Sequence, residues 1–270
     1  MMLCLPVLLA ALAALAAPAL ADFQAPVYTV DLDRPPEKRW EEAVLGQVHM
    51  HGWDQSFKPV LDYIDTVVPP TLWAEHEMEL RKIAEPIIGE EATAELRGIA
   101  ASAVSIGHNI SLAELEFFQV FYEILMECTG VLARDAEGGV VHGRNMDIGL
   151  AVTNLTAQVE WKKHGKVVMT STQYLGYTGV HTGMRHDGWS VQANERVVLT
   201  PGPGIGYKNS TLALTALAFA KGHSTVGNFL RSSLLKAATF EEALPLLENT
   251  PLASPMYLIV GGKVQGRVIT

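Results

Sequence analysis

The hydrophobic period of this 270-residue chain changes at Cys128. From Arg39 to Met126, apolar residues recur three and four positions apart, which is typical of amphipathic helices. After Cys128, the segments "CTGVLARD" and "GGVVHGRNMD" each have a period of two residues. They flank a turn at Ala136–Gly139, which predicts a β-hairpin. Because a helical period does not fit a strand, the change restricts the chain to a helical segment followed by a sheet.

The rest of the chain extends this pattern. Strands are predicted in "AQVEWKKHGKVVMTSTQYLGYTG" and "GWSVQANERVVL", then two or three helices between Leu212 and Leu247, then strands in "MYLIVGG" and "GRVIT". Capping boxes at Ser111–Glu114 and Thr239–Glu242 mark two helix starts. "TPGPGIGYKNS" is predicted to be a loop without the context of a phosphate cradle. Together these elements predict an α+β layered fold preceded by a helical segment.

The first 21 residues have the composition of a targeting segment. They are rich in Leu, Ala and Val and end in Ala19-Leu20-Ala21, a small-x-small cleavage pattern. We therefore expect a signal peptide over residues 1–21 and a mature chain that begins near Asp22. Three glycosylation sequons, at Asn109, Asn154 and Asn209, fit a glycoprotein of the secretory route. The net charge of −9 argues against a nucleic-acid partner.

The cysteine count singles out Cys128. Cys4 is lost with the predicted leader, so the mature chain has one cysteine and cannot form an internal disulfide. In an oxidising compartment such a cysteine is either reactive or paired with another molecule. A buried core cysteine is the alternative, since free cysteine is among the most buried residue types.

Other candidate sites have weaker signals. His49 and His51 are spaced as metal ligands, but no third ligand accompanies them, so neither a metal site nor a cofactor is predicted. His142 is a candidate base for Cys128, and strand alternation places it on the same face as Arg144. The chain has no G-x-S-x-G elbow of a serine hydrolase.

The hairpin carries a family resemblance. "CTGVLARDAEGGVVHGRNMD" resembles the start of the β-subunit in the acid ceramidase and N-acylethanolamine acid amidase family, with Gly130 where that family has serine. "YTVDLDRPPEKRW", "GYTGVHTG", "NERV", "YLIVGG" and "GRVIT" resemble other family segments in the same order, so the likeness covers nearly the whole mature chain. It implies the layered αββα fold of N-terminal nucleophile hydrolases.

The resemblance also implies self-processing. The Glu127–Cys128 bond would be cut by the cysteine itself, giving a helical α-subunit segment, residues 22–127, and a β-subunit, residues 128–270, that stay associated. Cys128 would then carry a thiol and a free α-amine. Because an α-amine titrates near ~8, it can take the thiol proton without a histidine.

Three further residues match family site positions. Arg144 would hold the thiolate and orient the substrate carbonyl. Asp147 would accept a hydrogen bond from the α-ammonium group of Cys128. Glu195 would join the site. From the residues alone, a solvated salt bridge on the hairpin is the alternative for Arg144 and Asp147.

The activity implied is hydrolysis of a lipid amide, ceramide to sphingosine and fatty acid, in the lysosome or after secretion. The alternatives are an N-acylethanolamine acid amidase and a non-catalytic lipid-binding relative or inactive truncated form. A membrane surface or a lipid-transfer protein is an expected transient partner. Trp40, Trp53 and Trp73 suit either a membrane interface or an ordinary core.

The family pattern continues beyond the position of Thr270. One of its later strands carries an asparagine that donates to the oxyanion, and no residue here matches it; Asn194 lies in a different strand and is a poor substitute. The resemblance therefore leads us to expect that these 270 residues are a shortened form with weak activity, because one oxyanion donor contributes ~3–4 kcal/mol.

Overall fold

The computed structural model describes residues 24–125, 127–147, 152–186, 188–201, 207–209 and 211–270. The predicted leader lies outside these residues. The strands of the described chain are β1 (Val27–Asp31), β2 (Glu127–Arg134), β3 (Val140–Asp147), β4 (Thr156–Lys163), β5 (Lys166–Tyr174), β6 (Thr182–Arg185), β7 (Ser190–Glu195), β8 (Leu199–Pro201), β9 (Tyr207–Asn209), β10 (Met256–Gly261) and β11 (Gly266–Ile269).

Helices occupy the N-terminal half and a second region between β9 and β10. The α-helices are α1 (Glu41–His51), α2 (Lys58–Val67), α3 (Pro70–Ile88), α4 (Glu90–Ser105), α5 (Leu112–Leu125), α6 (Thr211–Ala220), α7 (Val226–Lys236) and α8 (Phe240–Asn249). Short 3-10 helices lie at Pro36–Lys38, Trp53–Gln55 and Thr153–Leu155. Among the described residues, no helix is both long enough and apolar enough to cross a membrane.

A seven-stranded sheet in the order β1-β4-β5-β6-β7-β10-β11 forms the centre of the fold. β1 runs parallel to β4, and the other neighbours are antiparallel. Alternation along β4 buries Ala157, Val159 and Trp161 on one face. This face meets the helices, because Trp161 packs edge-on against Trp40 at 5.5 Å and lies 4.5 Å from the Arg231 guanidinium of α7.

A buried ion cluster joins the helices on this face. The fully buried Glu95 of α4 accepts hydrogen bonds from Arg39 at 2.7 Å and from Arg231 at 2.6 and 2.7 Å. The indole N–H of Trp40 donates to the same carboxylate at 2.9 Å. Two guanidinium groups and an indole satisfy the buried charge, which would otherwise be costly to desolvate.

The hairpin β2–β3 packs on the opposite face, over β7 and β10. The backbone N–H of Val140 donates to Lys263 O at 3.0 Å and ties the hairpin to the β10–β11 turn. Side chains on β3 alternate between half-buried and exposed, so His142 and Arg144 share the inward face, as predicted. Val131 and Val141 point outward and are each 54% exposed.

Gly130 allows the hairpin to lie close to the sheet. A Cβ atom added there would overlap Gln192 Nε2 on β7 and Ile259 Cδ1 on β10. The serine that the family carries at this position would therefore require these two side chains to move. Gly143, on the outward face of the same hairpin, has nothing within 4 Å of an added Cβ.

The structure confirms the α+β class and most of the predicted elements. The described residues form a helical layer, a seven-stranded sheet and the hairpin. In the capping box at Ser111, the Ser111 hydroxyl accepts from Glu114 N at 3.1 Å and the Glu114 carboxylate accepts from Ser111 N at 2.7 Å. The Thr239 hydroxyl likewise accepts from Glu242 N at 3.2 Å.

One expectation for the N-terminal segment needs correction, and for Trp40 the structure selects the core alternative. Residues 22–127 are not purely helical, because Val27–Asp31 forms an edge strand that pairs with β4. Trp40 does not face a membrane; it is 1% exposed and packs in the core. Trp53 is half-buried and stacks on His108 at 4.4 Å. The side chain of Trp73 lies outside the described part.

Candidate active site

Cys128 lies at the start of β2, shortly after α5 ends, and its half-buried side chain faces the sheet. The hairpin register pairs Cys128 with Met146 and Gly130 with Arg144. Cys128 and Arg144 are therefore diagonal neighbours on the inward face, within reach of a long side chain. Arg144 Nη2 donates to Cys128 Sγ at 3.1 Å.

The Arg144 guanidinium is fixed by neutral acceptors. Nη2 also donates to Ala193 O at 2.8 Å and Tyr122 Oη at 2.7 Å. Nη1 donates to His181 O at 3.0 Å and to the Thr182 hydroxyl. The salt bridges formed by the described residues do not include Arg144, so within this part of the chain its positive charge faces the sulfur without a competing carboxylate.

Tyr122 completes this group and was missed from sequence. It lies on α5, its hydroxyl is 3.4 Å from Cys128 Sγ, and the hydroxyl donates to Ala193 O. Its ring stacks on His181 with centroids 3.5 Å apart. Burial raises the pKa of Tyr122 well above its ordinary value, which keeps the phenol neutral. The only signal in the sequence was its position in a helix six residues before the cysteine.

Two amides hold the backbone of the cysteine. Asn194 Nδ2 donates to Cys128 O at 3.2 Å, and Asn194 Oδ1 accepts from Gln192 Nε2 at 2.8 Å. From the sequence, Asn194 is expected only to be a poor oxyanion donor. The structure gives it a contact with the carbonyl of Cys128 itself, so it orients the residue that carries the thiol.

Asp147 is not brought to the thiol. It lies on the exposed face of β3, opposite to the Arg144 side chain, and accepts from Asn145 Nδ2 at 2.6 Å. The predicted alternative, a hairpin salt bridge between Arg144 and Asp147, is therefore wrong. The register does place Asp147 across from Glu127, the residue before Cys128.

Glu195 ends β7, and strand alternation points it away from the face that carries Gln192 and Asn194. It lies near the fully buried Glu123 of α5, whose carboxylate accepts from Val226 N at 2.6 Å. Burial, and then the charge of Glu195, raise the pKa of Glu123 to about 8. The structure thus places the half-buried Glu195 close to the buried Glu123.

His142 does not form a pair with Cys128. It lies four residues along β3 from Met146, the register partner of Cys128, which corresponds to about 13 Å along a strand. Its Nδ1 is 2.8 Å from the Ser190 hydroxyl. Burial lowers the pKa of His142.

The remaining predicted residues lie apart from the site. Asn109 is exposed in the α4–α5 loop, Asn154 is half-buried in a 3-10 helix, and for Asn209 only the backbone is described. His49 and His51 lie at the end of α1. In the described ranges, no three His, Cys, Asp or Glu side chains gather as metal ligands.

A cleft of about 690 Å³ opens beside Arg144. It runs between β3 and the face of β4–β7 that points away from the helices. His142, Arg144 and Met146 line one side, and the other side carries mostly hydroxyl and amide groups. The lining residues of that sheet face include Thr156, Gln158, Thr170, Thr172, Thr182, Ser190 and Gln192. The cleft gives a ligand access to the guanidinium.

Comparisons with known proteins show the family of this chain. The model of the linear amide C–N hydrolases, choloylglycine hydrolase family, matches residues 128–265. An N-acylethanolamine-hydrolyzing acid amidase of Rattus norvegicus is 33% identical over 249 residues, which are 91% of this chain and 63% of that protein. The acid ceramidase of Homo sapiens is 29% identical, over 89% of this chain and 61% of that protein.

A solved Caenorhabditis elegans N-acylethanolamine-hydrolyzing acid amidase ortholog is also similar. It is 27% identical, with a TM-score of 0.42 over 52% of this chain and 62% of that one. The chain thus spans somewhat less than two thirds of the length of these relatives. The family match covers more than half of the chain and starts at the cysteine contacted by Arg144. The chain belongs to the choloylglycine hydrolase family of linear amide C–N hydrolases.

Proposed function

We propose that this protein hydrolyses the N-acyl bond of a lipid amide, ceramide to sphingosine and fatty acid, with Cys128 as the nucleophile. The observation that carries the proposal is the 3.1 Å contact from Arg144 Nη2 to Cys128 Sγ, at the residue where the family match begins. The names of the relatives, an acid ceramidase and an N-acylethanolamine-hydrolyzing acid amidase, supply the substrate class.

The first step of the proposal is self-cleavage of the Glu127–Cys128 bond. The sulfur attacks the carbonyl carbon of Glu127, the C–N bond breaks, and the thiol proton ends on the released nitrogen of Cys128. The product is a thioester, which water hydrolyses to a carboxylate on residue 127 and a free thiol. The chain ahead of the bond would remain as the fragment that ends at residue 127.

Arg144 supports this chemistry by favouring the anionic sulfur. Thiolate, rather than thiol, is the nucleophile, and an adjacent guanidinium stabilises it. The four other acceptors around Arg144 hold its guanidinium group in place, so this group needs little reorganisation during the reaction. Asn194 and Gln192 hold the Cys128 backbone in the matching orientation.

The second step is hydrolysis of the lipid amide. The sulfur attacks the acyl carbon, the amine leaves with a proton, and water releases the fatty acid from the acyl-thioester. The α-amine of Cys128, freed by the cut, would take and return the thiol proton. Asp147 lies across from Glu127 in the register, so we assign it to position this new ammonium group. Glu195 would act indirectly, through the buried Glu123.

An N-acylethanolamine amide is the second candidate substrate, favoured by the 33% identity to the rat amidase. Both substrates share the acyl amide bond and differ in the amine. The predicted leader and sequons, together with the word acid in the names of these relatives, support action in the lysosome or after secretion. A membrane surface or a lipid-transfer protein would deliver the lipid.

The test is an assay of the full chain against a fluorescent ceramide and a fluorescent N-acylethanolamine at pH 4.5 and 7. Fatty acid release from either substrate, abolished by Cys128→Ser, supports the proposal. Binding of both lipids without release would instead identify a non-catalytic lipid-binding relative. Release from only one of them decides between the two amidase candidates.

A further inference from the structure

Helix α5 brings a polar side chain to the thiol from the chain segment that precedes Cys128. Tyr122 is 1% exposed, yet its hydroxyl meets three polar partners: Cys128 Sγ at 3.4 Å, Arg144 Nη2 at 2.7 Å and Ala193 O. We propose that Tyr122 is a further catalytic residue for the proposed reaction: it holds Arg144 and donates its hydroxyl hydrogen bond to the sulfur when the thiolate forms. The proposal rests on Cys128 being the nucleophile.

The hydrogen-bond pattern permits this exchange. A phenol has one proton, and here it is donated to Ala193 O. Ala193 O also accepts from Arg144 Nη2 at 2.8 Å, so this carbonyl keeps a partner if the phenol turns away. The phenol oxygen accepts from Arg144 in either orientation. A thiolate would thus gain a second donor without leaving any of these buried groups unsatisfied.

The surroundings keep Tyr122 in place and neutral. Its ring stacks on His181 at 3.5 Å, and His181 lies 4.2 Å from the ring of Tyr177. Burial and the nearby Arg144 lower the pKa of His181 well below its ordinary value, so the imidazole adds no charge beside the guanidinium. Because the phenol is also buried, it acts as a hydrogen-bond donor rather than as a base.

The position of Tyr122 in the sequence has a consequence for processing. Tyr122 precedes the Glu127–Cys128 bond, whereas Arg144 and Ala193 follow it. After the cut, Tyr122 would belong to one fragment, and the thiol with its guanidinium to the other. The contacts of the hydroxyl with Arg144 and Ala193 cross this boundary, so the thiol environment would require both fragments.

The test is the pH dependence of Cys128 alkylation in the full chain. Iodoacetamide is applied from pH 4 to 10, and the Cys128 peptide is quantified by mass spectrometry. Tyr122→Phe keeps the ring that stacks on His181 and removes the hydroxyl. We expect its alkylation midpoint to rise by about 0.5–1 pH unit, a loss of about three- to tenfold in thiolate at acidic pH. Tyr177→Phe, in the same aromatic cluster, should leave the midpoint unchanged.

Two measurements separate this proposal from its alternatives. 3-Fluorotyrosine at position 122, a stronger donor with the same ring, should move the midpoint down; it decides the question if Tyr122→Phe fails to fold. Equal midpoints for Tyr122→Phe, the fluorotyrosine chain and the wild type would overturn the proposal. Since alkylation needs no lipid, a shifted midpoint in a chain that hydrolyses no amide would overturn only the proposed function.

Discussion

Arg144 is the residue on which the proposed chemistry depends most. Arg144→Ala should lower both self-cleavage and amide hydrolysis by about 10²–10³, because it removes a preorganised charge beside the sulfur. Arg144→Lys should recover only part of the rate, since an ammonium group cannot donate to all five acceptors that the guanidinium group contacts. Rates are followed by gel densitometry for cleavage and by fatty acid release for hydrolysis.

Arg134 provides the matched control. It lies on the same hairpin but is exposed, and it donates to Val264 O at 3.2 Å. Arg134→Ala should retain wild-type rates within about a factor of two. If Arg144→Ala also retained them, the guanidinium would have only a structural function.

At the scale of elements, the hairpin must lie close to the sheet for the thiol to meet its partners. Gly130→Ala should destabilise the fold by about 1–3 kcal/mol, the usual effect of overpacking, because the new methyl would displace Gln192 and Ile259. Displacing Gln192 should also disturb Asn194 and slow self-cleavage. Urea denaturation measures the first effect and gel densitometry the second.

Gly143→Ala tests whether the destabilisation expected at position 130 comes from lack of space or from the loss of a glycine. Position 143 is on the same hairpin and has open space around an added Cβ. We expect a change in stability within about 0.5 kcal/mol, as for ordinary surface substitutions. Equal destabilisation at the two positions would contradict the packing argument.

Elements with local signals were predictable from sequence. The hairpin, both capping boxes and the helices near the C-terminus follow from periodicity and from residues three or four apart. β1 was missed because it is five residues long and is held by its pairing with β4, more than 120 residues away. Tyr122 was missed because its contacts with Arg144 and Ala193 join residues 22 and 71 positions apart, which local patterns do not reveal.

The inward face of the hairpin was predicted correctly, but its surroundings were not. Alternation places Arg144 on the same face as His142, and that needs no tertiary information. Which of the two meets Cys128 depends on register, and register depends on the turn and on packing. Asn194 was assessed only as an oxyanion donor, because sequence does not reveal that β7 lies beneath β2.

At the scale of the whole molecule, two buried acids predict greater stability in acid. Burial raises the pKa of Glu123 to about 8 and that of Glu116 to about 7, from an ordinary value of 4.5. A carboxyl with a raised pKa in the folded state binds its proton more tightly there. Its contribution to the free energy of unfolding is fully present below about pH 4.5 and is lost as pH rises toward 8.

The melting temperature should therefore be higher at pH 5 than at pH 8. Glu123→Gln, which mimics the protonated acid, should raise stability at pH 8 and flatten the dependence on pH. Glu241→Gln, at an exposed position on α8, is the control and should leave the pH dependence of the melting temperature unchanged. A wild-type chain that is more stable at pH 8 than at pH 5 would contradict the assignment.

The fold also predicts that the two fragments stay together after the proposed cut. β1 from the first fragment pairs with β4 of the second, and the buried Glu95 binds Arg231 across the same boundary. The fragments should co-elute in gel filtration at acidic pH and separate only in denaturant. Separation under native conditions would show that these contacts do not hold them.

The proposed chemistry depends on self-cleavage at Cys128, which would leave a new N-terminus. The purified full chain and its Cys128→Ala variant are incubated at pH 4.5, and the new N-termini are identified by mass spectrometry. We expect a fragment that begins at Cys128 in the wild type and an intact chain in the variant. A wild-type chain that stays whole, or a variant that splits at the same bond, would contradict it.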